Sequence, residues 1–293
     1  MKSEVMKTLI DLGLTSNETR ELFSDRTRDV RNIKVWRDSI SEVIYIDDFY
    51  VGDNQYVKSE YNQGLKVAKD KLNQEAKRDL ERRLSAYKDL SKDKNVCDFG
   101  CGSGHFIQAI KSQAKNVVGV ELQEQHISNL NEKGIKCVND LKLIPNDSID
   151  LIVSFHVIEH LPDPRRILNE LKNKLNSNGQ LLIEVPHARD LLLSDHMNCQ
   201  AFKEFTLWSQ HLILHTKESL QKILESTGFE ILKMDGVQRY PLSNHLGWLT
   251  SSRPGGHIGS LSQIDTPSLT KEYENALEEI DATDTIVALA RKY

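Results

Sequence analysis

Three glycines at alternate positions, Gly100, Gly102 and Gly104, follow an acid, Asp98, at the end of the short apolar run Val96-Cys97-Asp98-Phe99. Glycine lets a backbone turn sharply and approach a ligand where a Cβ would collide. With a helix predicted to open near His105-Phe106, the first N–H groups have no intrahelical partner and point at whatever occupies the turn. Asp98 sets a carboxylate beside that place, which is awkward next to a pyrophosphate and natural next to an ammonium group. The dinucleotide spacing GxGxxG fails as well, because its third position falls on His105 counting from Gly100 and on Ile107 counting from Gly102. An anionic dinucleotide is therefore a poor ligand for this turn.

The turn must sit at the end of a strand, and the surrounding pattern supplies one. From Asn95 onward, short apolar runs alternate with amphipathic segments. Runs 95–99, 117–122, 135–138, 150–155 and 180–185 are predicted strands, and Pro164–Leu175 is the clearest intervening helix. Such alternation implies a parallel sheet covered on both faces. In the tail, 217–227 is a predicted helix, 230–237 and 284–291 are predicted strands, and 269–280 is helix-like. Between the two tail strands, Arg253-Pro254-Gly255-Gly256-His257 marks a turn-rich segment. Ahead of residue 95, Leu65, Ala68, Leu72, Ala76, Leu80, Leu84 and Tyr87 form one apolar stripe at helical spacing. Weak alternation around Val35, Ile40, Val43, Ile44 and Ile46 suggests a short hairpin. The expected organisation is a mainly helical N-terminal extension over 1–94, then one α/β domain over 95–293, with insertions on the substrate side at about 186–216 and 239–283.

The whole arrangement resembles the class I S-adenosylmethionine-dependent methyltransferases. Asp98-Phe99-Gly100-Cys101-Gly102-Ser103-Gly104 resembles their motif I. Val118-Gly119-Val120-Glu121 looks like their second strand, Asn139-Asp140-Leu141 like the end of the third, and Asp150 to Leu161 like the fourth with its EHL triplet. Gly179 to Pro186 looks like the fifth, and the 284–291 run like the antiparallel seventh. The resemblance implies an α/β, Rossmann-like, seven-stranded, mostly parallel sheet with helices on both faces. It also implies S-adenosyl-L-methionine as cofactor. Carried over onto this chain, the cofactor residues are Asp98, Gly100, Gly102, Gly104, Glu121, Leu122, Asp140, Leu141 and Phe155, with Tyr56 and Tyr61 closing over it. Glu121 would grip the ribose, because a carboxylate can accept two hydrogen bonds from a vicinal diol. Asp140 would meet the adenine amino group. Gln123 is either an adenine contact or a plain surface residue.

Methyl transfer to an oxygen needs an aligned acceptor and a base to take its proton. Histidine suits that task near neutral pH. His156, at the end of strand four, and His187, at the end of strand five, are the leading candidates. His160, in the EHL triplet, is a further candidate or a group that fixes a helix start, and His211 and His257 complete the set. A metal-assisted route through Asp190, Asp195 and His196 is a minor option without firm ligand spacing. Ser154-Phe155-His156-Val157 lacks the Asn/Asp-Pro-Pro-Tyr/Phe signature of amino-nitrogen methylation, and no Pro-Cys follows strand four for cytosine C5 chemistry. Glu184-Val185-Pro186-His187, Trp208-Ser209-Gln210-His211 and Thr227-Gly228-Phe229 resemble enzymes acting on sugars and surface polysaccharides. The EHL region is similar to ubiquinone-pathway enzymes, so a quinone precursor is the second acceptor class. A non-catalytic cofactor-binding module is the third reading.

Composition narrows the partners. A net charge of −5 argues against a dedicated nucleic-acid binder. No apolar run approaches the roughly 18 residues needed to span a bilayer, and no signal-peptide pattern opens the chain. The four cysteines make no CxxC pair, so neither a zinc ribbon nor a disulfide framework is expected. Although many relatives open with a cysteine zinc ribbon, Val35–Asp48 has no cysteine. The expected setting is a cytoplasmic enzyme with a small-molecule or glycan acceptor; the N-terminal stripe serves as a cover or, alternatively, as a homodimer contact.

Overall fold

The computed structural model describes residues 3–47, 49–52 and 69–293. The elements run, in chain order, α1 (Val5–Asp11), β1 (Arg20–Arg26), β2 (Arg31–Asp38), β3 (Ile44–Ile46) and the long helix α2 (Lys69–Tyr87). Then come β4 (Asn95–Phe99), α3 (His105–Ile110), β5 (Asn116–Val120), α4 (Glu124–Glu132), β6 (Lys136–Val138) and β7 (Ile149–Phe155). They continue as α5 (Pro164–Lys174), β8 (Leu175–Pro186), α6 (Gln200–Thr206), β9 (Ile213–Leu214), α7 (Lys217–Ser226) and β10 (Phe229–Val237). The last are α8 (Leu242–Ser251), α9 (Pro267–Glu279) and β11 (Thr285–Lys292).

The expected seven-stranded, mostly parallel sheet is present, in the order β10-β11-β8-β7-β4-β5-β6. Neighbours from β6 to β8 are parallel, and β11 runs antiparallel to both β8 and β10. The direction of winding reverses between β4 and β7. In open α/β sheets the ligand crevice lies at the carboxyl ends of the strands flanking such a reversal. Val96, Cys97, Leu151, Ile152, Val153, Leu181 and Ile183 are almost wholly buried, as strands covered on both faces must be.

Local signals account for the helices that hold the sheet. Asp163 caps α5 by accepting the Arg166 N–H, and Pro164 occupies its first turn, where a missing N–H costs nothing. Thr216 and Ser219 cap α7 reciprocally. Leu168 and Leu171 of α5 share one core cluster with Leu220, Ile223 and Leu224 of α7. Val5, Leu9, Leu14, Val43 and Tyr45 enter the same cluster, so the leading segment packs onto the α/β core.

The leading segment is less helical than expected. α1 and α2 are helices, but β1, β2 and β3 form an antiparallel sheet completed by β9 from the 186–216 insertion. The hairpin predicted near residues 34–49 therefore starts earlier, at Arg20. Ile33 and Val35 are buried while Asn32 and Lys34 are exposed, a period-two pattern obscured by the charges around it. Of the apolar stripe, Leu80, Leu84 and Tyr87 pack on Phe106 and Ile110. Leu65 and Ala68, and the side chain of Leu72, lie outside the described residues. No helix among the described residues is long and apolar enough to cross a membrane.

Candidate functional site

The glycine turn leaves β4 at Phe99 and reaches α3 through Gly104, its N-cap, in the left-handed region. Gly100 and Cys101 donate their N–H groups to the Val120 carbonyl, which ties the turn to the end of β5. Two of the glycines do different work. A Cβ on Gly100 would collide with the Val157 side chain, whereas a Cβ on Gly102 would meet nothing within 4 Å. Both have positive φ, so Gly100 serves close packing and Gly102 borders open space. On the family resemblance, that space would be the cradle of the expected cofactor.

Glu121 is the main acid of the cradle. Its Oε2 accepts the Gly102 N–H at 2.8 Å, and its Oε1 accepts those of Leu122 and Gln123 at 2.8 and 2.9 Å. Oε1 is thereby filled, and Oε2 keeps one lone pair for a ligand hydroxyl. Leu122 is exposed beside it and Gln123 is buried. Asp140 stands exposed past the end of β6, where its side chain caps the turn Leu141–Leu143 through the Lys142 N–H, and Leu141 is buried. Asp98 is 3% exposed. Burial pushes its carboxyl up to about 7; Arg83 opposes the shift and Glu121 adds to it. A cationic group placed there would restore its charge. Tyr56 and Tyr61 lie outside the described residues.

The ends of β7 and β8 are built differently. Glu184, fully buried near the end of β8, accepts two hydrogen bonds from Arg82 at 2.8 and 2.9 Å and two from Arg83 at 3.2 and 2.5 Å. Both arginines come from α2. Arg83 also lies over the Phe155 ring, 4.4 Å from its centroid, while Phe106 meets that ring edge-on. Asp79, one turn earlier on α2, pairs with Arg239, and Asp284 accepts the N–H groups of Arg239 and Tyr240. Burial opposes ionisation of Asp79, but Arg239 outweighs it and holds the carboxyl at about 2. The same balance, with His156 and Arg83 as the opposing groups, holds Glu184 well below its ordinary range.

His156 lies within this wall. Its φ is +55°, a strained value for a residue other than glycine, and its N–H is held by the Glu184 carbonyl at 2.8 Å. Nε2 lies 3.1 Å from Glu184 Oε1 and Nδ1 lies 3.3 Å from Glu159 Oε1. These are ion-pair distances without good hydrogen-bond angles at Nε2 or at Glu159. Burial and Arg239 lower the proton affinity of this ring, but the two carboxylates raise it further, to a net value above that of an ordinary histidine.

The other predicted histidines are placed less favourably for base catalysis. His187 is buried, and its Nδ1 must donate to the Thr283 carbonyl at 3.0 Å because a carbonyl only accepts. Burial lowers it to about 4, so it stands inside the fold as a neutral ring. This corrects the expectation of a base rising above strand five. His160 donates Nδ1–H to the Gln210 carbonyl at 2.8 Å, consistent with its alternative role of fixing local structure. His211 and His257 are lowered to about 3 and about 4, burial being the larger cause in each. Asp190, Asp195 and His196 do not form a metal-holding cluster among the described residues: Asp190 is buried and caps the turn Leu191–Leu193, and the other two are exposed. Sequence reasoning missed Arg82, Arg83, Asp79, Arg239 and the part played by Glu184. One signal was available: Glu184 is the only charge in the apolar run Leu181 to Val185.

The family model described as a methyltransferase domain matches residues 69–234, more than half of the chain. A Mycolicibacterium smegmatis protein named "Probable S-adenosylmethionine-dependent methyltransferase" is 27% identical over 153 residues, 49% of this chain, and the chain spans 55% of that relative's length. A ubiquinone biosynthesis O-methyltransferase of Coxiella burnetii is 24% identical over 175 residues, covering 52% of this chain and 70% of the relative. Among solved structures, a SAM-dependent methyltransferase from Archaeoglobus fulgidus superposes with a TM-score of 0.50 at 22% identity, covering 73% of this chain and 94% of that one; the likeness is one of fold.

Proposed function

The chain belongs to the methyltransferase-domain family, and on that premise we propose that it binds S-adenosylmethionine and methylates a hydroxyl of a polar, sugar-type acceptor. When bound, the cofactor supplies an electrophilic methyl group on a sulfonium centre. On this reading the turn Gly100 to Gly104, with Glu121, Leu122, Asp140 and Leu141, holds its nucleoside. Asp98 faces its ammonium group, and Phe155 flanks the sulfonium side. Tyr56 and Tyr61 remain proposed as a cover.

The observation that carries the acceptor class is the ionised wall over β7 and β8. Arg82, Arg83, Glu184, Asp79 and Arg239 are partly or wholly buried and mutually paired. Within it, the buried Nε and Nη1 of Arg82 have no hydrogen-bond partner among the described residues, and a hydroxyl oxygen of a sugar-type ring could accept from them where an apolar prenyl tail could not. A sugar destined for surface polysaccharide fits that chemistry. His156 is the one predicted base that belongs to the wall. Its neutral form accepts the acceptor proton once Nε2 leaves Glu184, and because the two carboxylates raise its proton affinity, turnover should increase as rising pH populates that form.

The test is methyl transfer from S-adenosylmethionine to nucleotide sugars, glycans and hydroxylated aromatic quinone precursors, assayed side by side. Turnover on sugars, lowered about 100-fold in His156→Asn with S-adenosylhomocysteine binding intact, is the expected result. Turnover on the aromatic set alone would replace the sugar reading with the chemistry named for the Coxiella relative. Cofactor binding without turnover on any acceptor would favour a non-catalytic module.

A further inference from the structure

Glu159 is completely enclosed, and neither of its carboxylate oxygens has a hydrogen-bond partner. It sits in the turn Ile158–His160, directly after the β7 loop. His160 Nδ1–H donates to the Gln210 carbonyl, and its Nε2 lies 3.9 Å from Glu159 Oε1. His211 follows that carbonyl. Its Nδ1 is buried without a hydrogen-bond partner, and its ring centroid lies 5.0 Å from that of His160. Glu159, His160 and His211 each offer a donor atom within 4.8 Å of the other two.

We propose that Glu159, His160 and His211 form a binding site for a divalent transition-metal ion of the zinc class. Two imidazole nitrogens and one carboxylate suit Zn²⁺ or Co²⁺, whereas Mg²⁺ and Ca²⁺ prefer oxygen ligands throughout. A ligating imidazole whose second nitrogen donates to a backbone carbonyl is the usual supporting arrangement for such an ion. Zinc bonds of about 2.0–2.1 Å set tetrahedral ligand atoms roughly 3.3 Å apart. Glu159 and His160 therefore need to close by about half an ångström, and His211 by up to about 1.5 Å. The ion would take one oxygen of Glu159, whose Oε1 lies 3.3 Å from His156 Nδ1, and offer a ligand role to the unpartnered Nδ1 of His211.

The position gives the site a structural role. Leu212 N–H donates to the Glu159 carbonyl, Ile46 N–H donates to the Leu212 carbonyl, and Asp29 accepts both the N–H and the hydroxyl of Ser209. An ion held by Glu159, His160 and His211 clasps the β7 loop to the segment that carries β9, and through it to the small sheet. This proposal does not depend on the acceptor class.

The experiment uses the untagged full chain, stripped with a chelator and titrated with Zn²⁺ and with Co²⁺ alone. About one zinc per chain after gel filtration, ligand-field bands of low-symmetry Co²⁺, and a melting temperature raised by zinc are expected. His211→Ala and Glu159→Gln should each weaken zinc at least tenfold, while His196→Ala, at an exposed histidine, should not. Wild type that binds S-adenosylhomocysteine normally, yet retains less than a tenth of an equivalent of zinc and gives no cobalt bands, overturns the site. Glu159 would then be the counter-ion of His156 and nothing more. The wild-type measurement decides the matter even if a variant fails to fold.

Discussion

At the glycine turn, the Glu121 carboxylate is met by backbone N–H groups within a few residues of it or one loop away. At the ends of β7 and β8, acids are met by side chains from remote parts of the chain. Glu121 draws its donors from Gly102, Leu122 and Gln123. Glu184 draws its donors from Arg82 and Arg83, about a hundred residues earlier. Backbone donors come with the fold of the loop and keep their places whatever the side chains are. Side-chain donors must be delivered by the docking of α2, so their energetics are bound up with the stability of the cover. The cradle should therefore fail as a binding site, and the wall as a packed interface.

The largest expected effect lies at the wall. Glu184→Ala leaves two arginines and His156 without their common partner, and removing one member of a buried ion pair costs about 3–5 kcal/mol. Denaturant unfolding should register that loss, and a neutral result would mean that α2 is held by its apolar face alone. Because the Glu184 carboxyl is held well below its ordinary range, its contribution is present above the unfolded carboxylate range. It is lost as pH falls through the folded value.

Next comes the cradle. Glu121→Ala should lower S-adenosylhomocysteine affinity about 10–100-fold, as expected for losing charge-assisted hydrogen bonds of about 1.5–3 kcal/mol. Calorimetric titration measures it; unchanged affinity would remove Glu121 from the ligand. The paired glycines sharpen the contrast within the cradle itself. Gly100→Ala should destabilise the fold, since its Cβ strikes Val157, whereas Gly102→Ala should chiefly weaken binding beyond a strain of about 1–2 kcal/mol.

A smaller effect tests Asp98. With its folded pKa raised to about 7 by burial, ionising it costs stability in the unliganded protein as pH climbs from the ordinary carboxylate range through about 7. A ligand ammonium group needs the ionised form, so affinity for S-adenosylhomocysteine should rise with pH and level off above about 7. Asp98→Asn should flatten that slope. The smallest expected effect is a surface one. Arg166→Ala, which breaks the half-exposed pair with Glu170 on α5, should change stability by no more than about 0.5 kcal/mol.

The same contrast decides what could be read from the residues alone. β4, α5, α7, β10 and β11 match their predicted ranges to within a residue or two because period, caps and turn glycines are local properties. The strand–turn–helix geometry of the glycine segment is legible for the same reason: acid, glycine spacing and strand end all sit within a dozen residues. The wall is not legible, because nothing near Arg82 says that it will meet Glu184. The buried state of His187 was hidden as well, since a histidine after a strand reads as an upward-facing group until the Thr283 carbonyl is known to lie beside it. The hairpin from Arg20 was masked by charges on its open face, where only every second residue of β2 reports burial.

β11 lies between β8 and β10, although it is the last of the three to appear along the chain. Until its residues are available, β8 presents a bare edge and β10 has no strand to join. Assembly must therefore wait for a late segment to slot into an interior place, a long-range closure of the kind that slows folding. Through that wait, β8 adds an edge open to pairing with a neighbouring chain that the finished sheet no longer presents.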